Sequence, residues 1–134
     1  MRYLLDTDIC IYVINERPLH VLENFLRCEA EGLGISSITA AELHYGVART
    51  GSSRNLKALG KFLAPLEIAP FDLAAAEIFG QVRAWLTAQG TPIGPYDTQI
   101  AAHAQALGVT LVTNNTREFA RVPGLRLENW ALAQ

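Results

Sequence analysis

Two local patterns alternate along this chain of 134 residues, and that alternation restricts its fold more than any other feature. Short apolar runs ending in turn-forming residues occur at Arg2–Leu5, Leu33–Ile38, Leu66–Ala69, Val109–Thr113 and Leu125–Leu127. Between them lie stretches with helical spacing. "PLHVLENFLRCEAE" sets Leu19, Leu22, Leu26 and Ala30 on one face. "DLAAAEIFGQVRAWLTAQG" and "DTQIAAHAQALG" stop at Gly90 and Gly108, residues suited to helix ends. Strands separated by helices must be joined by crossovers, which build a mainly parallel sheet covered on both faces. The expected fold is α/β, one domain over residues 1–134, with about five strands.

In such folds ligands bind beyond the carboxyl ends of the strands. Asp6 and Asp8 follow the first strand in "YLLDTDICIY", and Glu42 follows the second in "SSITAAEL". "GPYDTQIAAHA" carries Asp97 at a helix start, and "NNTREF" follows the fourth strand with Asn114, Asn115 and Glu118. Each has a local alternative as a helix cap. Thr39-x-x-Glu42 and Asn115-x-x-Glu118 have the spacing of capping boxes, Asp97 follows Gly94-Pro95 as an N-cap would, and Asp72 in "PFDLAAAE" is an N-cap.

Capping leaves two things unexplained. No Lys or Arg lies within ten residues of Asp97, and small apolar residues follow it (Ile100, Ala101, Ala102, Ala104). Asp6 leaves a core strand with only Arg2 nearby. Carboxylates gathered out of water without cations are costly, so a bound cation is expected. All-oxygen donors suit Mg²⁺ or Mn²⁺.

Charge and composition narrow the chemistry. The net charge of −2 does not suggest nucleic-acid binding, yet setting aside Asp6, Asp8, Glu42 and Asp97 leaves 9 acids against 11 Lys and Arg. His20, His44, His103, Cys10 and Cys28 are scattered without ligand spacing and read as structural. No apolar run approaches the ~18 residues of a membrane span, and Asp6 and Asp8 interrupt any leader-like stretch, so a cytoplasmic protein is expected.

Three functions compete. Clustered carboxylates around Mg²⁺ can support phosphodiester hydrolysis without a Ser, Cys or His nucleophile. The D-x-D at the first strand end also resembles the haloacid-dehalogenase phosphatases, but those need a lysine near the phosphoryl group. Here Lys57 and Lys61, the only lysines, lie in a mid-chain helix. A non-catalytic module whose acids are all caps is the third.

The ordered set "LLDTDICIY", "ISSITAAELHYGV", "GPYDTQIAAHAQALG" and "LVTNNTREFARVPGLRLENW" resembles the PIN-domain ribonucleases, specifically VapC toxins of toxin–antitoxin pairs. The resemblance covers nearly the whole chain. It implies a three-layer α/β/α fold, Mg²⁺- or Mn²⁺-dependent RNA cleavage, homodimerisation and inhibition by a cognate VapB-type antitoxin in a larger complex. DNA would be reached only through the antitoxin, and no membrane is involved. By position it makes Asp6, Glu42 and Asp97 the acidic triad. Asp8 stands where the family usually has Asn, and Asn115 where many members carry a fourth Asp, with Glu118 one helical turn later. That ending resembles an enteric subgroup that cuts tRNA, so initiator tRNA is the expected substrate. Asp6 and Asp97 are then expected to bind the metal directly, and Glu42 to bind it or orient a water. Glu118 is expected to take part in catalysis, with Asp8 and Asn115 in support. Arg49, Arg54, Lys57 and Lys61, and separately Arg117 and Arg121, are the candidate RNA contacts. Ile11, Ile14 and Leu43 are expected to line a groove for an apolar antitoxin helix.

Overall fold

The structure, a computed structural model, describes residues 1–132. Five strands, β1 (Tyr3–Leu5), β2 (Leu33–Ser36), β3 (Glu67–Ala69), β4 (Thr110–Val112) and β5 (Leu127–Glu128), form one sheet in the order β3-β2-β1-β4-β5. Every pairing is parallel, with Leu4 opposite Gly34 on one side and Leu111 on the other. The helices are α1 (Thr7–Asn15), α2 (Leu19–Cys28), α3 (Ser37–Thr50), α4 (Ser53–Leu63), α5 (Leu73–Ala88), α6 (Pro95–Leu107) and the one-turn α7 (Thr116–Phe119).

Residue alternation along the central strand sorts the core into two layers. Tyr3 and Leu5 join Ile9, Val21, Phe25, Leu43, Leu59 and Phe62 beneath α1 to α4. Leu4 points the other way, onto Val82, Leu86, Ile100, Ala101, Ala104 and Phe119 of α5, α6 and α7. The α/β/α layering expected from the family resemblance is therefore present, and the sheet is wholly parallel.

Close approach explains one glycine. A Cβ on Gly34 would lie 2.5 Å from the Met1 methyl and 2.8 Å from the Glu67 carbonyl oxygen, so β2 admits no side chain there. At the other end of the fold, Gly108 takes φ +68°, and its N–H bonds back into α6 to stop the helix where the sequence placed the stop.

Strand limits differ from the sequence reading by one to two residues. β5 shifts furthest, to Leu127–Glu128, and β2 ends at Ser36 because Ser37 and Ile38 already belong to α3. The apolar face of α2 also differs. Val21, Phe25 and Cys28 are buried, whereas Leu19 and Leu26 are 63% and 59% exposed. Phe25 and Val21 outcompeted the leucine stripe because the ring of Phe25 packs against Phe62 of α4 at 5.9 Å. No helix of the described residues is long and apolar enough to cross a membrane.

Candidate active site

In the order β3-β2-β1-β4-β5 the chain reverses direction of growth between β1 and β4, which opens a crevice at their carboxyl ends. Asp6 follows β1 and Thr113 follows β4 across that crevice. The backbone N–H of Asp6 donates to the Val112 carbonyl at 2.9 Å, which continues the ladder and fixes the side chain over the opening.

Asp6 is 6% exposed, and its carboxylate accepts from the Thr7 N–H and the Thr113 hydroxyl, both at 2.8 Å. Burial, then the neighbouring Asp8 charge, pushes its pKa up to about 7 despite those bonds, with Asp97 adding a smaller push. Asp8 accepts from the Ile9 N–H at 2.7 Å and the Asn114 N–H at 3.0 Å. Its work is thus to fasten the β4–α7 loop to α1. Desolvation raises its pKa too.

Glu42 enters from α3 and accepts from the Thr7 hydroxyl at 3.1 Å. The capping-box alternative for Glu42 fails. The N-cap of α3 is Ser36, whose hydroxyl accepts from Ile38 N–H at 3.1 Å, so Glu42 lies well inside the helix. Asp97 is not an N-cap either. Gly94 occupies that position with Pro95 in the first turn, and among the described residues nothing donates to the Asp97 carboxylate. Burial, then the Glu118, Glu42 and Asp8 charges, lifts its pKa to about 6. Those causes bring all five acids to one crevice. Asp72 caps α5 as expected, accepting from Ala75 N–H.

Glu118 is tied into the frame. One oxygen accepts from the Gly94 N–H at 3.3 Å, and the other from the Asn115 side-chain amide. Asn115 begins α7, but its side chain makes no cap bond and turns instead to Glu118. The pair therefore joins α7, which follows β4, to the start of the helix that carries Asp97.

Among the described residues the only ion pair is Arg2 with Glu31, remote from the crevice. Arg83 has no acidic partner among them and lies over the Phe79 ring at 5.9 Å. The cluster of acids is thus uncompensated by protein cations. Nor do any three His, Cys, Asp or Glu side chains among these residues close into a ready ligand cage.

The six candidate RNA-binding cations are all exposed. Arg54, Lys57 and Lys61 run along α4, and Arg49 near the end of α3 lines a groove of about 470 Å³ with Ile11, Ile14, Glu42, Leu43 and Val47. Arg117 and Arg121 stand by α7, the latter donating to the Pro92 carbonyl at 3.1 Å.

Thr113 escaped the sequence reading because a β-branched residue ending an apolar strand reads as core. Its buried hydroxyl donates to Asp6 and accepts from the Asn115 N–H at 3.0 Å. The signal was available: a threonine directly before two asparagines at a strand end. Thr113→Val should lower activity about 10–100-fold, the scale of losing an outer hydrogen-bond partner of a site carboxylate, whereas Thr113→Ser keeps it. Initial rates of the two variants at fixed Mg²⁺ check this.

Comparison with known proteins agrees with this geometry. The family model described as PIN domain matches residues 3–125. The chain is 44% identical over 131 residues to the tRNA(fMet)-specific endonuclease VapC of Salmonella typhimurium, covering 97% of this chain and 98% of that protein. It is 46% identical over 131 residues to ribonuclease VapC2 of Haemophilus influenzae, with the same coverage. Among solved structures, VapBC2 from Rickettsia felis bound to a promoter DNA fragment superimposes with a TM-score of 0.89 at 42% identity, covering 97% of this chain and 99% of that one. A fold, an acidic crevice and near full-length similarity at this level lead to one assignment: the chain belongs to the PIN-domain family and, within it, to the VapC ribonucleases of toxin–antitoxin pairs.

Proposed function

We propose that the protein is a divalent-metal-dependent endoribonuclease that cuts tRNA, with initiator tRNA as its target, and so stops translation as the toxin of a VapBC-type pair. The observation that carries this reading is the uncompensated acid cluster, in which Asp6 and Asp97 are lifted to about 7 and about 6 with no cation beside them.

The donor set fits Mg²⁺ or Mn²⁺. All candidate ligands are oxygens, the donors that such a hard ion takes, commonly through one or two carboxylates with several waters kept. Asp6 and Asp97 would hold it, and Glu42 would share it or orient a water. When bound, such an ion polarises the phosphodiester and makes water a stronger nucleophile. The chain does the rest by position. Thr113 fixes Asp6, Asp8 holds the loop that carries Thr113, and Glu118 with Asn115 fixes the start of α6. Arg49, Arg54, Lys57 and Lys61 on one side and Arg117 and Arg121 on the other would hold phosphates without reading sequence.

The relatives' names support tRNA(fMet) as substrate, and the VapBC complexes among the similar structures support an antitoxin partner. We place the apolar antitoxin helix in the groove lined by Ile11, Ile14 and Leu43, where an inserted Arg would meet Glu42. The toxin would act as a homodimer within the larger complex.

The test is cleavage of tRNA by the purified protein in Mg²⁺, in Mn²⁺ and in EDTA, with RNA ends sequenced. Cutting in EDTA at the same rate would overturn the metal dependence. Glu118→Gln separates charge from framing. After the Asn115 amide turns over, Gln can still accept from Gly94 N–H and donate to Asn115, so both bonds survive. A fall of about tenfold or more in rate, with a higher Mg²⁺ requirement, is therefore expected from charge alone. An unchanged rate would make Glu118 purely a strut.

A further inference from the structure

Four tyrosines are distributed unequally. Tyr3 is buried at 5% exposure, and Tyr12 is half-buried, accepting from the Asn114 amide. Tyr45 and Tyr96 are 67% and 61% exposed, the two most exposed aromatic rings among the described residues. Neither belongs to a core cluster, and neither phenol has a hydrogen-bond partner among those residues. Both adjoin an acid of the crevice: Tyr96 directly precedes Asp97, and Tyr45 lies three residues after Glu42 on α3. Three residues along a helix returns to nearly the same face, so Tyr45 borders the side of α3 that presents Glu42. The guanidinium of Arg49 lies 5.7 Å from the Tyr45 ring centroid, which places a phosphate-binding cation on an aromatic plate.

Single exposed rings are ordinary on a protein surface, but here two of them lie next to acids of the crevice along the chain, and one carries a candidate phosphate contact. Nucleobases suit such rings, because every base has a π face that stacks on an exposed ring. We propose that Tyr96 and the Tyr45–Arg49 pair are base-stacking platforms on either flank of the crevice, which hold the nucleotides adjoining the scissile phosphate. They are positioning residues rather than catalytic ones. The inference rests on the ribonuclease reading above and adds to it how the bases are held.

The test measures tRNA cleavage by Tyr96→Ala, Tyr96→Phe, Tyr45→Ala and Tyr45→Phe. It also measures 2-aminopurine fluorescence of an unstructured oligoribonucleotide bound to the same variants in the Asp97→Asn background. Each Ala variant is expected to raise KM about tenfold with little change in kcat, within the range for losing one stacked base, and to lose 2-aminopurine quenching. Each Phe variant should behave like the parent. The effect should persist as salt is raised, unlike that of Arg54→Ala or Lys57→Ala, which lowers the salt dependence. Unchanged KM in the Ala variants, or Phe failing as badly as Ala, overturns the proposal. Weakened inhibition by the antitoxin with RNA binding intact would assign the rings to the protein partner and overturn it equally. A parent protein that cuts no RNA would instead overturn the ribonuclease reading, a result visible before any tyrosine is changed.

Discussion

Asp97→Asn should lower RNA cleavage by about 10²–10³-fold, the scale of losing one preorganised charge at a reacting centre, while leaving the fold as stable as the parent. The helix it sits on is started by Gly94 and Pro95, so no cap is lost. Its carboxylate accepts no hydrogen bond among the described residues, so no partner is orphaned. The substitution gives up a favourable charge in the first turn of α6, which contributes roughly 0.3–1 kcal/mol. It also relieves burial and repulsion from Glu118, Glu42 and Asp8, whose net effect already lifts the pKa to about 6. The second effect outweighs the first, so in EDTA at pH 7.5 the variant should melt at or above the parent. Melting well below it would return Asp97 to a structural role and count against the site.

A larger effect on stability is expected from pH. The Asp6 pKa is raised from 3.8 to about 7 in the fold, so the folded protein binds this proton more tightly than the unfolded chain does. The stabilisation is fully present below pH 3.8 and is lost as pH climbs through about 7. That difference corresponds to roughly 4 kcal/mol, released over that window. Metal-free protein should therefore lose stability between about pH 4 and pH 7 through this group. Asp6→Asn removes the titrating charge, and the Thr113 hydroxyl can turn to accept from the new amide. At pH 7.5 in EDTA this variant should melt about 10 °C or more above the parent, and the gap should vanish near pH 4. Mg²⁺ should raise the parent's melting temperature at pH 7.5 and leave Asp6→Asn nearly unmoved. Urea unfolding across pH, with and without Mg²⁺, reads all three. Equal stability of the two proteins at pH 7.5 without metal would refute the raised pKa.

What the sequence disclosed followed from physics that acts locally. Alternating apolar runs and helical spacings carry the parallel sheet, because each pattern reports a burial period. Acids after β1, β2 and before β4 carry the crevice, because parallel strands send their carboxyl ends to one side. Gly108 and Asp72 were legible as a helix stop and start for the same local reason. Helix starts at the site were not. Glu42 and Asp97 sit at spacings that imitate caps, and only the tertiary placement of Ser36 and Gly94 shows which residue caps each helix. The wrong face of α2 had a similar cause: Leu19 and Leu26 fit the period, but Phe25 found Phe62 of α4 in the same layer, a partner that helical spacing cannot reveal. Thr113 was hidden because a hydroxyl at a strand end announces itself only through its partner. That partner, Asp6, lies 107 residues earlier.

The position of β1 sets an order of events during synthesis. The first strand made is the middle of the sheet, and one of its neighbours, β4, is among the last segments made. Contacts of such sequence separation form late and slowly. A growing chain that has emerged as far as α5 already carries Asp6 and Glu42, but it has neither Asp97 nor the hydroxyl that holds Asp6 in place. Every truncated product ending before α6 is in the same condition. On the proposed reading such a chain lacks the assembled crevice, so a fragment ending before α6 is expected to cut no RNA. The acids and the hydroxyl that fixes Asp6 would meet only once α6 and β4 are in place, so on that reading activity is expected to appear only as the chain nears its end.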